Sequence, residues 1–255
     1  RLAPYMVQFR ARGFRCLDLH MLFLCHGIDS SPRAYHKIPD WEECDAHGVP
    51  LSKKDSALTT ACLVHPHLHE ALQKTFAMLK GVCSDDALFG ISLDNEPNLS
   101  LGRDLSDYGG NPHTQNAFRA YLAEQFGTFE ALRGACMLFG AEISARGFSD
   151  VSLFDAHPVL RAMAARFRAT LVCGAYLCGA ADAARASFPD AVLTTRLQTG
   201  YFLKEYEDGT EIGGIDPTYL KDSEVDVIAW CNQQNECVRD GMGQLNVTGG
   251  LLRGC

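Results

Sequence analysis

The sequence predicts an α/β fold with parallel strands, of the (β/α)8 TIM-barrel type. Three observations carry this expectation. Short apolar runs at 14–24 (FRCLDLHMLFL), 88–94 (LFGISLD), 191–197 (AVLTTRL) and 225–231 (VDVIAWC) read as strands, the first as a buried strand and the second of the continuous apolar kind found in buried parallel sheets. Helical patterns lie between them, and strand–helix alternation implies parallel pairing. Polar residues follow the carboxyl ends of the strands: Asp94-Asn95-Glu96, then Gln198, then Asn232-Gln233. A barrel gathers its site at that end, which favours it over an open sheet.

The elements follow in order. Residues 2–12 read as a helix ending at Gly13, before the strand at 14–24. The polar, proline-bearing stretch 27–56 is too long for a simple connection, and loops of that size are often functional. A helix is expected at about 66–80, then the strand at 88–94. Residues 113–126 (HTQNAFRAYLAEQF) place Phe118, Tyr121, Leu122 and Phe126 on one helical face. Thr128 caps a further helix with Glu130 and Ala131 in its first turn. An Ala/Arg-rich helical region spans 158–187 and leads to the strands at 191–197 and 225–231, about five strands in all. No linker or internal repeat interrupts residues 1–255, so one domain is expected.

Composition sets the partners. The 255 residues are 47% hydrophobic and 21% charged, an ordinary globular balance. The formal charge is -8 and no basic run exists, which disfavours nucleic acid and anionic membrane as partners. No stretch reaches the roughly 18 apolar residues needed to span a bilayer. The first residues lack the apolar core of a secretory signal. The chain does not begin with Met, and a partial chain is expected. Its eleven cysteines are an odd number, form no C-x-x-C and sit mostly in apolar runs, so a reduced, cytoplasmic set is favoured.

The sharpest chemical signal is ISLDNEPN at 91–98, where an apolar strand runs straight into Asp94, Asn95 and Glu96. A glutamate at a barrel rim, beside an asparagine able to bind a sugar hydroxyl, suits a glycosidase acid/base. The alternative is a helix start, with Asp or Asn capping and Pro97 in the first turn. His20, near the end of the first strand, and Trp230 and Asn232, at the end of the last, are placed to reach a cleft. Trp41 is a candidate stacking platform for a sugar ring, though a packed loop tryptophan is equally common. The carboxylates Glu205, Glu207 and Glu211 in KEYEDGTE read as a solvated acidic loop. His65, His67 and His69 lack a matching acidic ligand, and no metal is expected. No hydrolase elbow, P-loop or dinucleotide motif occurs, and no cofactor is expected.

The segment ALFGISLDNEPN, followed by NPHTQNAFRAYLAEQFGTFEALRGA, resembles the region after the fourth strand of family-42 glycoside hydrolases, retaining β-galactosidases built on (β/α)8 barrels. Phe118, Tyr121, Leu122, Phe126, Gly127, Thr128, Glu130, Ala131 and Leu132 match the helix that follows that strand in the family. The resemblance covers roughly residues 1–200. It implies Glu96 as acid/base, Asn95 as a contact to the sugar 2-hydroxyl and Asp94 as support for the strand end. Two departures stand out. Where the family often carries a zinc-holding cysteine cluster, this chain has Asn111 and Thr114. The family's nucleophilic carboxylate ends its seventh strand and is expected beyond Cys255. Within the chain the nearest nucleophile candidate is Glu236.

These readings converge on a glycoside hydrolase acting on β-galactosides or related β-linked sugars by a retaining two-carboxylate mechanism. The resemblance places the chain as part of a barrel, lacking its first and last strands. The alternatives are a carbohydrate-binding or degenerate barrel without the nucleophile, and an unrelated α/β domain in which DNEPN only caps a helix. Open parallel edges predict self-association, including a homo-oligomer.

Overall fold

The computed structural model describes residue 11 and residues 16–18, 38–51, 61–82, 90–95, 97, 99, 108–140, 142–198, 204–205, 211–212, 215–231 and 251–253. Its centre is a five-stranded sheet of β1 (Cys16–Asp18), β2 (Gly90–Asn95), β3 (Val192–Gln198), β6 (Val227–Cys231) and β7 (Leu251–Arg253), in that spatial order. A separate two-stranded ribbon pairs β4 (Lys204–Glu205) with β5 (Glu211–Ile212). Strands β1, β2, β3 and β6 run parallel. They lie in chain order, without the reversal that marks the switch point of a doubly wound sheet. Sequential parallel strands are the arrangement of a barrel wall.

The helices start and stop where the sequence says they should. Helix α1 (Leu68–Val82) buries Leu68, Ala71, Leu72, Phe76 and Leu79, a stripe at helical spacing. Helix α2 (Pro112–Phe126) has proline in its first turn, and Asn111 Oδ1 accepts a hydrogen bond from the His113 N–H at 2.8 Å. It ends at Gly127, whose φ of +70° falls where glycine has no Cβ penalty. Of the expected face, Phe118 and Leu122 are fully buried, while Tyr121 and Phe126 pack at its margin. Thr128 caps α3 (Phe129–Leu138), accepting from the Ala131 N–H at 3.2 Å.

The Ala/Arg-rich region forms one long helical run. Helix α4 (Pro158–Thr170) passes into a π-helical segment (Leu171–Leu177) and then α5 (Cys178–Ser187). Small side chains at Ala180, Ala181, Ala183 and Ala184 are buried, so α5 packs closely against α1. A Cβ on Gly179 would stand 3.6 Å from Leu72 Cδ1, which measures that approach. On β3, Leu193, Thr195 and Leu197 are fully buried while Thr194 and Arg196 are not, so one face of the strand carries the core.

Three expectations are corrected. The pairing is not all parallel, because β6–β7 and β4–β5 are antiparallel. The last strand lies at 251–253, not 225–231. The acidic segment expected to be a plain loop contributes the β4–β5 ribbon. Short two- and three-residue strands carry too little periodicity to read from sequence. The helix expected at 2–12 lies outside the described residues apart from residue 11, as does most of the 14–24 strand beyond β1.

Candidate active site at the carboxyl edge of the sheet

Parallel pairing puts the carboxyl ends of β2, β3 and β6 on one edge. The register sets Asn95 opposite Arg196, Leu197 opposite Trp230 and Gln198 opposite Cys231. The β2–β3 ladder is irregular just before that edge. Ser92 pairs with Thr194 and Asn95 with Arg196, so three steps on β2 (92 to 95) face two on β3 (194 to 196). The extra residue is a β-bulge, a device that bends a strand and re-aims the side chains after it. The burial pattern shows the same break. Ile91 and Leu93 are buried with Ser92 between them partly exposed, but Leu93 is followed at once by a fully buried Asp94.

Asp94 does not lie bare in the core. The Tyr176 hydroxyl donates to Asp94 Oδ2 at 2.7 Å, and both side chains are completely buried. The Thr195 hydroxyl donates to the Asp94 carbonyl at 3.5 Å. A buried carboxylate needs such partners, because desolvation without them costs several kcal/mol. Tyr176 belongs to the π-helical segment and Thr195 to β3, so two elements converge on the residue that precedes Asn95 and Glu96.

The other expected site residues divide into three groups. The backbones of Asn95 and Trp230 lie at the carboxyl ends of β2 and β6, as expected. Glu96, Glu236, His20 and Asn232 lie outside the described residues. Trp41 is placed as a packed loop tryptophan rather than an open platform: it is 2% exposed, with its ring edge-on to His65 at 5.2 Å. His65 is buried as well. Its Nδ1 accepts from the His67 N–H at 3.1 Å and its Nε2 meets the Pro39 carbonyl at 3.3 Å. Burial holds its pKa below the ordinary histidine value.

A second polar cluster was not foreseen. Residues 41–45 (WEECD) run extended, with Glu42 bridged to Ala61 and Cys44 to Pro50, and bury Trp41, Glu43 and Asp45 in alternation. Glu43 is fully buried. Its Oε1 accepts from the Asn111 N–H at 2.8 Å and the Cys44 N–H at 3.0 Å, and its Oε2 accepts from the Thr114 hydroxyl at 2.6 Å. Burial raises its pKa and the hydrogen bonds oppose the rise. The Tyr108 hydroxyl lies beside this carboxylate without a well-formed hydrogen bond, and its own pKa is pushed up by burial and by Glu43. With Glu42 beside it and Asp45 two residues on, Glu43 carries no apolar alternation that marks it as buried in the sequence.

The donors here do not suit zinc. The Asn111 amide donates to the Asp40 and Glu42 carbonyls at 2.7 and 2.9 Å while its oxygen caps α2, and the Thr114 hydroxyl is spent on Glu43. Burial pushes the Cys44 and Cys62 thiols up to about 11 and about 12, so neither is a thiolate at neutral pH. Among the described residues no group of three or more His, Cys, Asp or Glu side chains is arranged to hold a metal.

No protein-family model matches the chain, and no curated protein matches its sequence. Solved structures do. A β-galactosidase from the psychrophilic Marinomonas ef1 superposes with a TM-score of 0.64 at 16% identity, over 91% of this chain and 33% of that one. A polyextremophilic β-galactosidase from the Antarctic haloarchaeon Halorubrum lacusprofundi gives 0.64 at 17% identity, over 95% of this chain and 34% of that one. A family-42 β-galactosidase from G. stearothermophilus, solved as a catalytic mutant, gives 0.62 at 17% identity, over 90% of this chain and 31% of that one. The chain shares its fold with β-galactosidases. It spans about a third of the length of these structures. In this β-galactosidase-like fold, the sequential parallel sheet corresponds to part of a barrel wall; the described strands do not close a barrel of their own. Among the described residues no helix is long and apolar enough to cross a membrane.

Proposed function

We propose that this chain is a single domain of a glycoside hydrolase acting on β-galactosides or related β-linked sugars, with retention of configuration. The observation that carries the reading is the convergence of two independent facts. The Asp94-Asn95 end of β2 lies at the carboxyl edge of a sequential parallel sheet, and that sheet shares its fold with β-galactosidases. The motif supplies the chemistry. Glu96 protonates the glycosidic oxygen as a second carboxylate attacks the anomeric carbon, forming a glycosyl-enzyme. Glu96 then takes a proton from water as that water displaces the enzyme carboxylate. Asn95 binds the sugar hydroxyl next to the scissile bond. Glu236 is the candidate nucleophile within the chain. The partner is a carbohydrate substrate, and the chemistry calls for no organic cofactor.

The test is hydrolysis of an aryl β-galactoside by the chain and by Glu96→Gln, with the anomeric configuration of the first product followed by NMR. Loss of activity by about two orders of magnitude or more in the variant, with retained configuration in the parent, supports the reading. Trapping the intermediate with a 2-fluoro galactoside and mapping the labelled carboxylate identifies the nucleophile. A chain that binds galactosides without hydrolysing them is a carbohydrate-binding barrel. One that does neither overturns both readings.

A further inference from the structure

The long helical run from Pro158 to Ser187 is not a uniform α-helix. Its centre, Leu171–Leu177, is π-helical. A π turn offsets the helical phase, and such segments are often found at functional sites. Within this one, Leu171, Val172, Cys173, Tyr176 and Leu177 are all buried, a wider arc than one α-helical stripe. Tyr176 is among the largest fully buried side chains in the protein, and its hydroxyl meets Asp94 Oδ2 at 2.7 Å across 82 residues of sequence.

The position of Asp94 matters more than its burial. It sits inside the β2 irregularity, between Ser92 and Asn95, where the strand gains its extra residue. Tyr176 holds Asp94 by its side chain and Thr195 holds it by its carbonyl. The next two residues are Asn95 and Glu96.

We propose that Tyr176 is a positioning residue: through Asp94, its hydroxyl sets how the bulged end of β2 presents Asn95 and Glu96 to the substrate. The inference rests on the functional reading above, in which those two residues do the chemistry. Tyr176 touches no substrate. Its effect is transmitted by one hydrogen bond and two peptide units, and reacting groups displaced by about 1 Å lose roughly a hundredfold in rate.

The experiment compares the full chain with Tyr176→Phe, which removes one oxygen atom. Expected are a cooperative melt, a fall in kcat on an aryl β-galactoside of about tenfold to a hundredfold with KM little changed, and a displaced pH profile of kcat/KM. The midpoint of the Glu96 carboxyl, followed by 13C NMR, should move as well. Asp94→Asn keeps an oxygen acceptor for the tyrosine and should lose less in kcat than Asp94→Leu. Asp94→Leu should behave like Tyr176→Phe, and this pair decides the matter if Tyr176→Phe does not fold. A Tyr176→Phe protein that only melts earlier, with kcat, pH profile and Glu96 titration unchanged, overturns the proposal. If the parent hydrolyses no glycoside, the functional reading fails by itself, and the Glu96 titration still decides whether Tyr176 positions the strand end.

Discussion

Replacing Glu43 by alanine and by glutamine separates the two consequences of burying a carboxylate. Three donors depend on it: the Asn111 N–H, the Cys44 N–H and the Thr114 hydroxyl. Glu43→Ala leaves the fully buried Asn111 N–H and the half-buried Cys44 N–H without this acceptor, while the Thr114 hydroxyl can turn to Cys62 Sγ, 3.3 Å away. A buried donor left without a partner costs about 1–3 kcal/mol, and water entering the vacated space recovers part of that. A loss of about 3 kcal/mol is expected. Glu43→Gln has a different outcome. Its oxygen still accepts from both backbone N–H groups, and its amide donates to the Thr114 oxygen. The Thr114 hydroxyl then turns to Cys62 Sγ, 3.3 Å away.

The pH dependence has a definite sign. The carboxyl pKa is raised in the folded protein, so the folded state binds the proton more tightly than the unfolded chain. The native protein is therefore destabilised as pH rises above the unfolded value of 4.5, until the folded-state pKa is passed. Glu43→Gln has no such proton. Urea unfolding at a series of pH values should show it gaining stability relative to the parent from about pH 4.5 upward, with a plateau beyond. An alanine cost below about 0.5 kcal/mol, or a parent–glutamine gap that is flat or opens in the opposite direction, refutes the argument.

Other outcomes follow from single sites. Asn111→Ala removes the α2 cap and two carbonyl contacts to the 38–51 loop, and should cost about 2–3 kcal/mol in urea unfolding. A Cβ at Gly110 would lie 1.7 Å from the Asp45 carbonyl oxygen, so Gly110→Ala must displace that loop; a melting temperature within about 2 °C of the parent contradicts this. Cys62 and Cys173 are fully buried, with thiols pushed up to about 12 by that burial. Both should resist alkylation at pH 8 in the native protein and react fully in urea, read by peptide mass spectrometry. His65 has its pKa lowered by burial, so its contribution to stability is present above pH 6.5 and fades as pH falls through the folded value. His65→Gln should flatten that acid limb, as measured by thermal melts from pH 7 to 5.

Much of this protein was legible residue by residue. Apolar runs marked β2, β3 and β6 within a residue or two of their observed bounds, because a strand that packs at least one face on the core concentrates apolar side chains over a few consecutive residues. Thr128 marked a helix start, because a cap is a contact between residues two or three apart. The Asp94-Asn95 strand end was legible for the same local reason. What the tertiary structure decided are contacts between distant residues of no periodic signature. Tyr176 meets Asp94 across 82 residues, and Glu43 meets Asn111 and Thr114 across 68 and 71. A π turn inside an alanine-rich helix, a bulge in a six-residue strand and an antiparallel β7 also leave the local pattern unchanged. Local propensity and hydrophobic period act over one or two turns of chain, whereas a buried polar pair is selected by the one partner that can satisfy it, wherever in the sequence that partner lies.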